Sequence, residues 1–165
     1  MHYIFWPEDY LPGKTDCYVA NESIASNVDI NEVWKHLIHL SLWSSMNSAL
    51  NSTVIHGNTR TILQLGDSFE FKVGDTLVNA EVVEYDDTVE GIFRLAWHGL
   101  VKDNGVVVVD AHCAFLVESL SENRTRVVMQ ESLKGTAAKK LASMTQNPSL
   151  HANQNWVNGL IRSGL

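Results

Sequence analysis

The spacing of apolar and polar residues changes period along this chain, and the change is clearest near its C-terminus. In residues 124–134, Thr125, Val127, Met129, Glu131 and Leu133 share one face, and Arg126, Val128, Gln130, Ser132 and Lys134 the other. A period of two predicts a half-buried strand. Gly135 suits a sharp exit from the sheet, because glycine accepts backbone angles that other residues avoid. Thr136 is the expected N-cap of the helix that follows. There Ala137, Leu141 and Met144 recur at helical spacing, with Lys139 and Lys140 opposite. Pro148 interrupts, and with Asn147 as cap it opens a second helical segment. Leu150, Val157, Leu160 and Ile161 form its stripe, with Trp156 beside them. The tail is therefore expected to be a helix bent or broken near Asn147 and Pro148.

Upstream, residues 1–16 hold Phe5, Trp6, Tyr10 and Leu11 among two prolines and a glycine, with no regular period. They read as an N-terminal arm draping its aromatics over a single domain of residues 17–165; a lid over a cavity mouth is the other reading. Residues 17–28 read as a strand. Asp29 then caps a helix, with Glu32 completing a capping-box pattern. Ile30, Val33, Trp34, Leu37 and Ile38 make its apolar stripe. A second short helix is expected to turn Trp43, Met46 and Leu50 inward. From there the period is that of strands: 53–56, 61–65, 68–73 with Phe69 and Phe71 on one side, 77–85, 91–100 with Phe93, Leu95 and Trp97 on one face, and 106–118. Gly74-Asp75, Asp86-Asp87, Asn104-Gly105 and Glu122-Asn123 supply turns, and Asn-Gly is the strongest hairpin signal.

The expected fold is α+β: a curved antiparallel sheet of about seven strands wrapped around a long C-terminal helix, with two short helices after the first strand. Only the terminal helix is long enough to cover one face of such a sheet. Its stripe argues against a cone closed by a C-terminal strand, as in NTF2-like proteins.

Composition narrows the function classes. The 165 residues fit one domain. Lys and Arg total 12 against 19 Asp and Glu, a net charge of −7, with no basic cluster. This argues against nucleic acid and anionic membrane surfaces as partners. No apolar run is long enough to insert into a membrane. The N-terminus lacks a basic start, and Pro7, Glu8 and Asp9 interrupt any signal-like core. A cytoplasmic location is expected. Cys17 and Cys113 are expected to be buried free thiols, with a disulfide left open. His36 and His39 share a helix at a spacing that two metal ligands use, but nothing clusters as a third ligand and no metal is expected. His112, with the parity of Asp110, is expected to face outward. No nucleophile triad, phosphate loop or nucleotide fingerprint is present.

In this order, several stretches resemble the START-related, Bet v 1-like (SRPBCC) superfamily, in particular its polyketide cyclase/dehydrase and lipid-transport group. They are residues 29–37 (DINEVWKHL), Trp43, Leu65-Gly66-Asp67-Ser68-Phe69, Phe115-x-Val117-Glu118 with Thr125-Arg126-Val127, residues 131–135, and residues 153–160 (NQNWVNGL). Trp6-Pro7-Glu8 and Leu11-Pro12-Gly13 resemble an uncharacterised bacterial branch. The resemblance implies the helix-grip fold and a hydrophobic cavity between sheet and terminal helix. It implies no single chemistry: relatives bind lipids, sterols, hormones or polyketides, some catalyse cyclisation or dehydration, and some act as chaperone-like or quinone-handling modules.

Given that cavity, the face of Val127 and Met129 would carry Glu131 into it. A desolvated carboxylate there is an acid/base candidate; a solvated or arginine-paired place at the rim is the alternative. Phe71, Phe93, Trp97, Phe115, Met129 and Trp156 are the expected apolar lining, with plain core packing as the alternative for each. Asn153 and Gln154 are candidates to orient a ligand. The expected function is binding or carriage of a small hydrophobic or aromatic molecule, with a polyketide cyclase/dehydrase-like enzyme as the alternative. No cofactor is implied, and a homodimer is left open.

Overall fold

The structure, a computed structural model, describes residues 1–121 and 123–165. The expected turn at Glu122 lies outside them. Seven antiparallel strands form one sheet: β1 (Cys17–Ser26), β2 (Leu50–Ile55), β3 (Ser68–Val73), β4 (Thr76–Val89), β5 (Ile92–Asp103), β6 (Val106–Leu120) and β7 (Arg124–Lys134). Their order across the sheet is β1-β7-β6-β5-β4-β3-β2. Two helices, α1 (Ile30–Ile38) and α2 (Trp43–Met46), cross from β1 at one edge to β2 at the other. The chain ends in α3 (Thr136–Ser143) and α4 (Pro148–Ser163).

The β5–β6 hairpin turns at Asn104 and Gly105, both with positive φ, as a tight primed turn requires. Register shifts between Asn51 and Val54, Val82 and Glu84, Asp86 and Val89, and Val101 and Lys102 bend the strands into a concave trough. The bulges also let β4 run past Asp86-Asp87, where the acidic pair suggested a turn. Residues 61–65 form no strand; they hold only an isolated bridge, His39 to Ile62.

α4 lies in the trough. Asn147 caps it by accepting from the Ser149 amide at 2.9 Å, and Pro148 occupies its first turn. Trp156, Val157, Leu160 and Ile161 are buried, whereas Leu150 is exposed because it precedes the part that reaches the core. Gly159 permits close approach to α2: a Cβ there would sit 2.3 Å from the Met46 carbonyl oxygen. Asp29 caps α1 through the amides of Asn31 and Glu32. Its own amide donates to Gly164 O at 2.8 Å, so Glu32 closes no capping box and instead lies near Lys35 and His36. Leu50 is buried as the first residue of β2, not as part of α2.

Two further expectations are corrected at the β7 exit. Gly135, at φ +117°, is itself the residue before α3, and Thr136 makes no capping bond. In α3, Leu141 packs inward as expected, but beside Ala138 rather than Ala137, and Met144 lies exposed just past the helix. Gly135 NH is held by Asp16, and Val108 O lies where a Cβ would be, so the helix starts at an angle fixed by the sheet.

The convex face of the sheet is covered as well. Residues 1–16, with one short turn at Glu8–Tyr10, lie along it. Ile4 and Trp6 pack on Ala96, Ala114, Leu116 and Val128. Arg94 donates to Tyr3 O at 2.7 Å beneath the Phe5 ring. Tyr10 OH donates to Asp110 at 2.6 Å, and the His2 amide and ring reach Glu118, which also pairs with Arg126. His112 does point to this face, but under Trp6 and Tyr10 it is only 2% exposed. Burial, then the neighbouring His98, lowers its pKa to about 4, so it is a neutral core histidine.

Candidate functional site

α1, α2 and the middle of α4 fill one half of the trough solidly. Trp43, Phe69, Phe71, Trp97, Phe115 and Trp156 form one aromatic cluster, with neighbouring ring centroids 5.0 to 6.2 Å apart. The other half, towards α3 and the start of α4, is unfilled. It encloses about 380 Å³, within the range of small-molecule sites.

The sheet register explains the vacancy. One row across the strands runs Trp97, Cys113, Glu131, Val19; the next runs Ala80, Gly99, Ala111, Leu133, Cys17. The floor beneath the start of α4 is thus made of Gly99, Ala111 and Cys113, whose side chains are too small to meet the helix. Phe71, Trp97, Met129 and Trp156 wall one end; Val101, Val109, Leu133 and Leu141 wall the other. Thr76 and Pro148 also line it and are exposed, so it reaches solvent between the β3–β4 turn and the break before α4.

Glu131 and Asn153 supply the polar feature of this apolar space. They stand on β7 and α4, and the Asn153 amide Nδ2 donates to Glu131 Oε1 at 2.5 Å. No arginine or lysine meets the carboxylate among the described residues; Glu131 is half-buried and lines the cavity. Burial raises its pKa above the ordinary carboxylate range, and the Asn153 hydrogen bond opposes that rise. Burial also raises the Cys113 thiol well above its usual value, with the Glu131 charge adding to it; Cys17 is raised as well, Asn147 partly offsetting its burial. Both cysteines are free, and both thiols stay protonated at neutral pH.

Of the residues singled out from sequence, Glu131, Phe71, Trp97, Met129, Asn153 and Trp156 all line the cavity. Two do not. Phe93 stacks on Trp34 with centroids 5.0 Å apart, below α1, because it sits at the opposite end of β5 from Gly99. Phe115 is sealed behind Trp97 and Trp156 as core. Gln154 points from α4 towards β1, where it meets Asn21 and the Glu22 carbonyl. The floor residues Gly99, Ala111 and Cys113 escaped the sequence reading because small residues carry no apolar signal. A run of small residues at inward parity on adjacent strands is the pattern that marks them.

A curved sheet gripping its C-terminal helix above a half-open trough is the Bet v 1-like helix-grip fold. Comparison with solved structures agrees. The di-domain ARO/CYC protein BexL of the BE-7585A biosynthetic pathway matches with a TM-score of 0.63 at 10% identity, over 88% of this chain and 45% of that one. Truncated norcoclaurine synthase from Thalictrum flavum matches at 0.58 and 10% identity, over 88% and 91%. These likenesses establish the fold alone. A third is of a different order: the hypothetical protein jhp0584 from Helicobacter pylori is 35% identical over 100% of this chain and 98% of its own, with a TM-score of 0.94. The chain belongs to the family of jhp0584, whose fold is that of the Bet v 1-like (SRPBCC) superfamily. No protein-family model matches the chain, and no curated protein does. No helix among the described residues is long and apolar enough to cross a membrane.

Proposed function

We propose that the protein binds and carries a small hydrophobic or aromatic molecule in the cavity between the sheet and α4. The supporting observation is the cavity itself: about 380 Å³ left unfilled beside a solid aromatic core, with apolar walls and one polar pair at Glu131 and Asn153. Apolar burial at about 25 cal/mol per Å² would supply most of the affinity, and the polar pair would set orientation. Two buried free thiols fit a reducing, cytoplasmic setting. Native mass spectrometry of the purified protein tests the reading: a discrete adduct of a few hundred daltons, lost on denaturation, is expected. Only the bare chain mass, with no uptake from a panel of small aromatic compounds, would contradict it.

A second reading has its own support. A carboxyl group in an apolar cavity, its pKa raised by burial, suits proton transfer to or from a bound substrate. On that cyclase/dehydrase-like reading, Glu131→Gln abolishes turnover while ligand-induced quenching of Trp97 and Trp156 fluorescence persists. Turnover surviving the change would remove the acid/base role.

A further inference from the structure

The strongest hydrogen-bonding group in the cavity is a carboxylate. This inference rests on the cavity being a ligand site, and concerns the class of ligand. Asn47 is already used: its oxygen accepts from the Ala49 amide at 3.1 Å and its nitrogen reaches Ala152 O at 3.5 Å. Asn153 spends an amide N–H on Glu131 Oε1. The strongest acceptors left are Glu131 Oε2 and Asn153 Oδ1; the Thr76 and Ser149 hydroxyls also line the cavity, and the Trp156 indole N–H is buried without a partner among the described residues. Neither Glu131 Oε2 nor Asn153 Oδ1 accepts a hydrogen bond from a described residue, and neither is sealed from open space. Both are acceptors when Glu131 is ionised, so the missing partner is a donor.

The charge in the cavity is one-sided. Among the described residues, no lysine, arginine or histidine lines the cavity. Lys134, on the same strand, lies on the convex face over the Tyr10 ring. The titratable groups near Glu131 on neighbouring strands are Cys113 of β6 and Cys17 of β1, both neutral thiols. β3, β4, β5, α3 and α4 place no titratable side chain in the lining. The ionised carboxylate therefore has an amide donor but no counter-charge, beside the aromatic rings of Phe71, Trp97 and Trp156, whose faces attract cations.

We propose that the cavity takes a small aryl-alkyl amine, bound as its ammonium ion. The ammonium donates to Glu131 Oε2 and Asn153 Oδ1, and the apolar remainder lies against Phe71, Trp97 and Trp156. An ammonium offers three donors, a hydroxyl one and a carboxylate none. The cation also supplies the charge partner that the protein does not.

The test is calorimetric titration with three near-isosteric probes, 3-phenylpropylamine, 3-phenylpropan-1-ol and 3-phenylpropanoate, alongside displacement of neutral Nile red. At pH 8 the amine is expected to bind about ten-fold or more tightly than the alcohol, and the carboxylate weakest. Glu131 must be ionised to pair, so the amine's advantage shrinks as pH falls through the raised Glu131 pKa. In Glu131→Gln, the amine loses its advantage and the alcohol keeps its affinity. The pH series on the unaltered protein carries the test if that variant does not fold. An amine that binds no more tightly than the alcohol at pH 8 overturns the inference; if Nile red still binds, the cavity as a ligand site survives. Failure of Nile red and all three probes overturns both.

Discussion

Glu131 is the residue whose surroundings say most about the molecule. Its folded pKa is raised, so between the unfolded value and the raised one the folded state holds a proton that the unfolded chain releases. Its contribution to stability is fully present below the unfolded pKa, near 4.3 for a free glutamate, and is lost as pH rises through the folded pKa. Glu131→Gln removes that loss. In urea melts of the ligand-free protein, the variant is expected to gain on wild type as pH rises across this window, then to hold its advantage. A gap independent of pH would mean the carboxyl is not desolvated. Parity along β7 made this residue legible in the sequence, as it did Trp97 on β5 and Met129. Phe93 and Phe115 show the limit: a period of two gives the face of a strand, not which end of the trough a side chain reaches. His112 shows another, since parity assigns a face without saying whether anything covers it.

At the scale of elements, the arm and the break before α4 carry the argument. Asn147 and Pro148 were readable because capping chemistry is local. The phase of α3 and the fate of Thr136 were not, because Gly135 and Asp16 set them through contacts distant in sequence. The arm's aromatics were visible, but its path across the convex face depends on Arg94, Asp110 and Glu118, which lie about a hundred residues away. That path makes a separable prediction. Deleting residues 1–10 uncovers Leu116, Val128 and His112 and leaves Arg94 without Tyr3. It should cost about 3 kcal/mol or more in chemical denaturation. Because the arm contributes nothing to the cavity lining, Nile red affinity of the folded fraction should not change. A large loss of affinity at full folding would make the arm part of the site.

For the whole molecule, one geometric fact decides what the fold can do: α4 rests on an aromatic cluster at one end and spans small residues at the other. The order of elements and the grip of sheet on helix followed from periodicity and turn chemistry. The vacancy did not, because it arises where Gly99, Ala111 and Cys113 come into register across strands that meet only in the folded protein. Filling that floor tests the account most directly. Ala111→Phe, titrated with Nile red by fluorescence beside the unaltered protein, should lose one-to-one dye binding while keeping its circular dichroism spectrum and a melting temperature at least as high. Undiminished binding by the folded variant would show that small molecules do not enter the space between the sheet and α4.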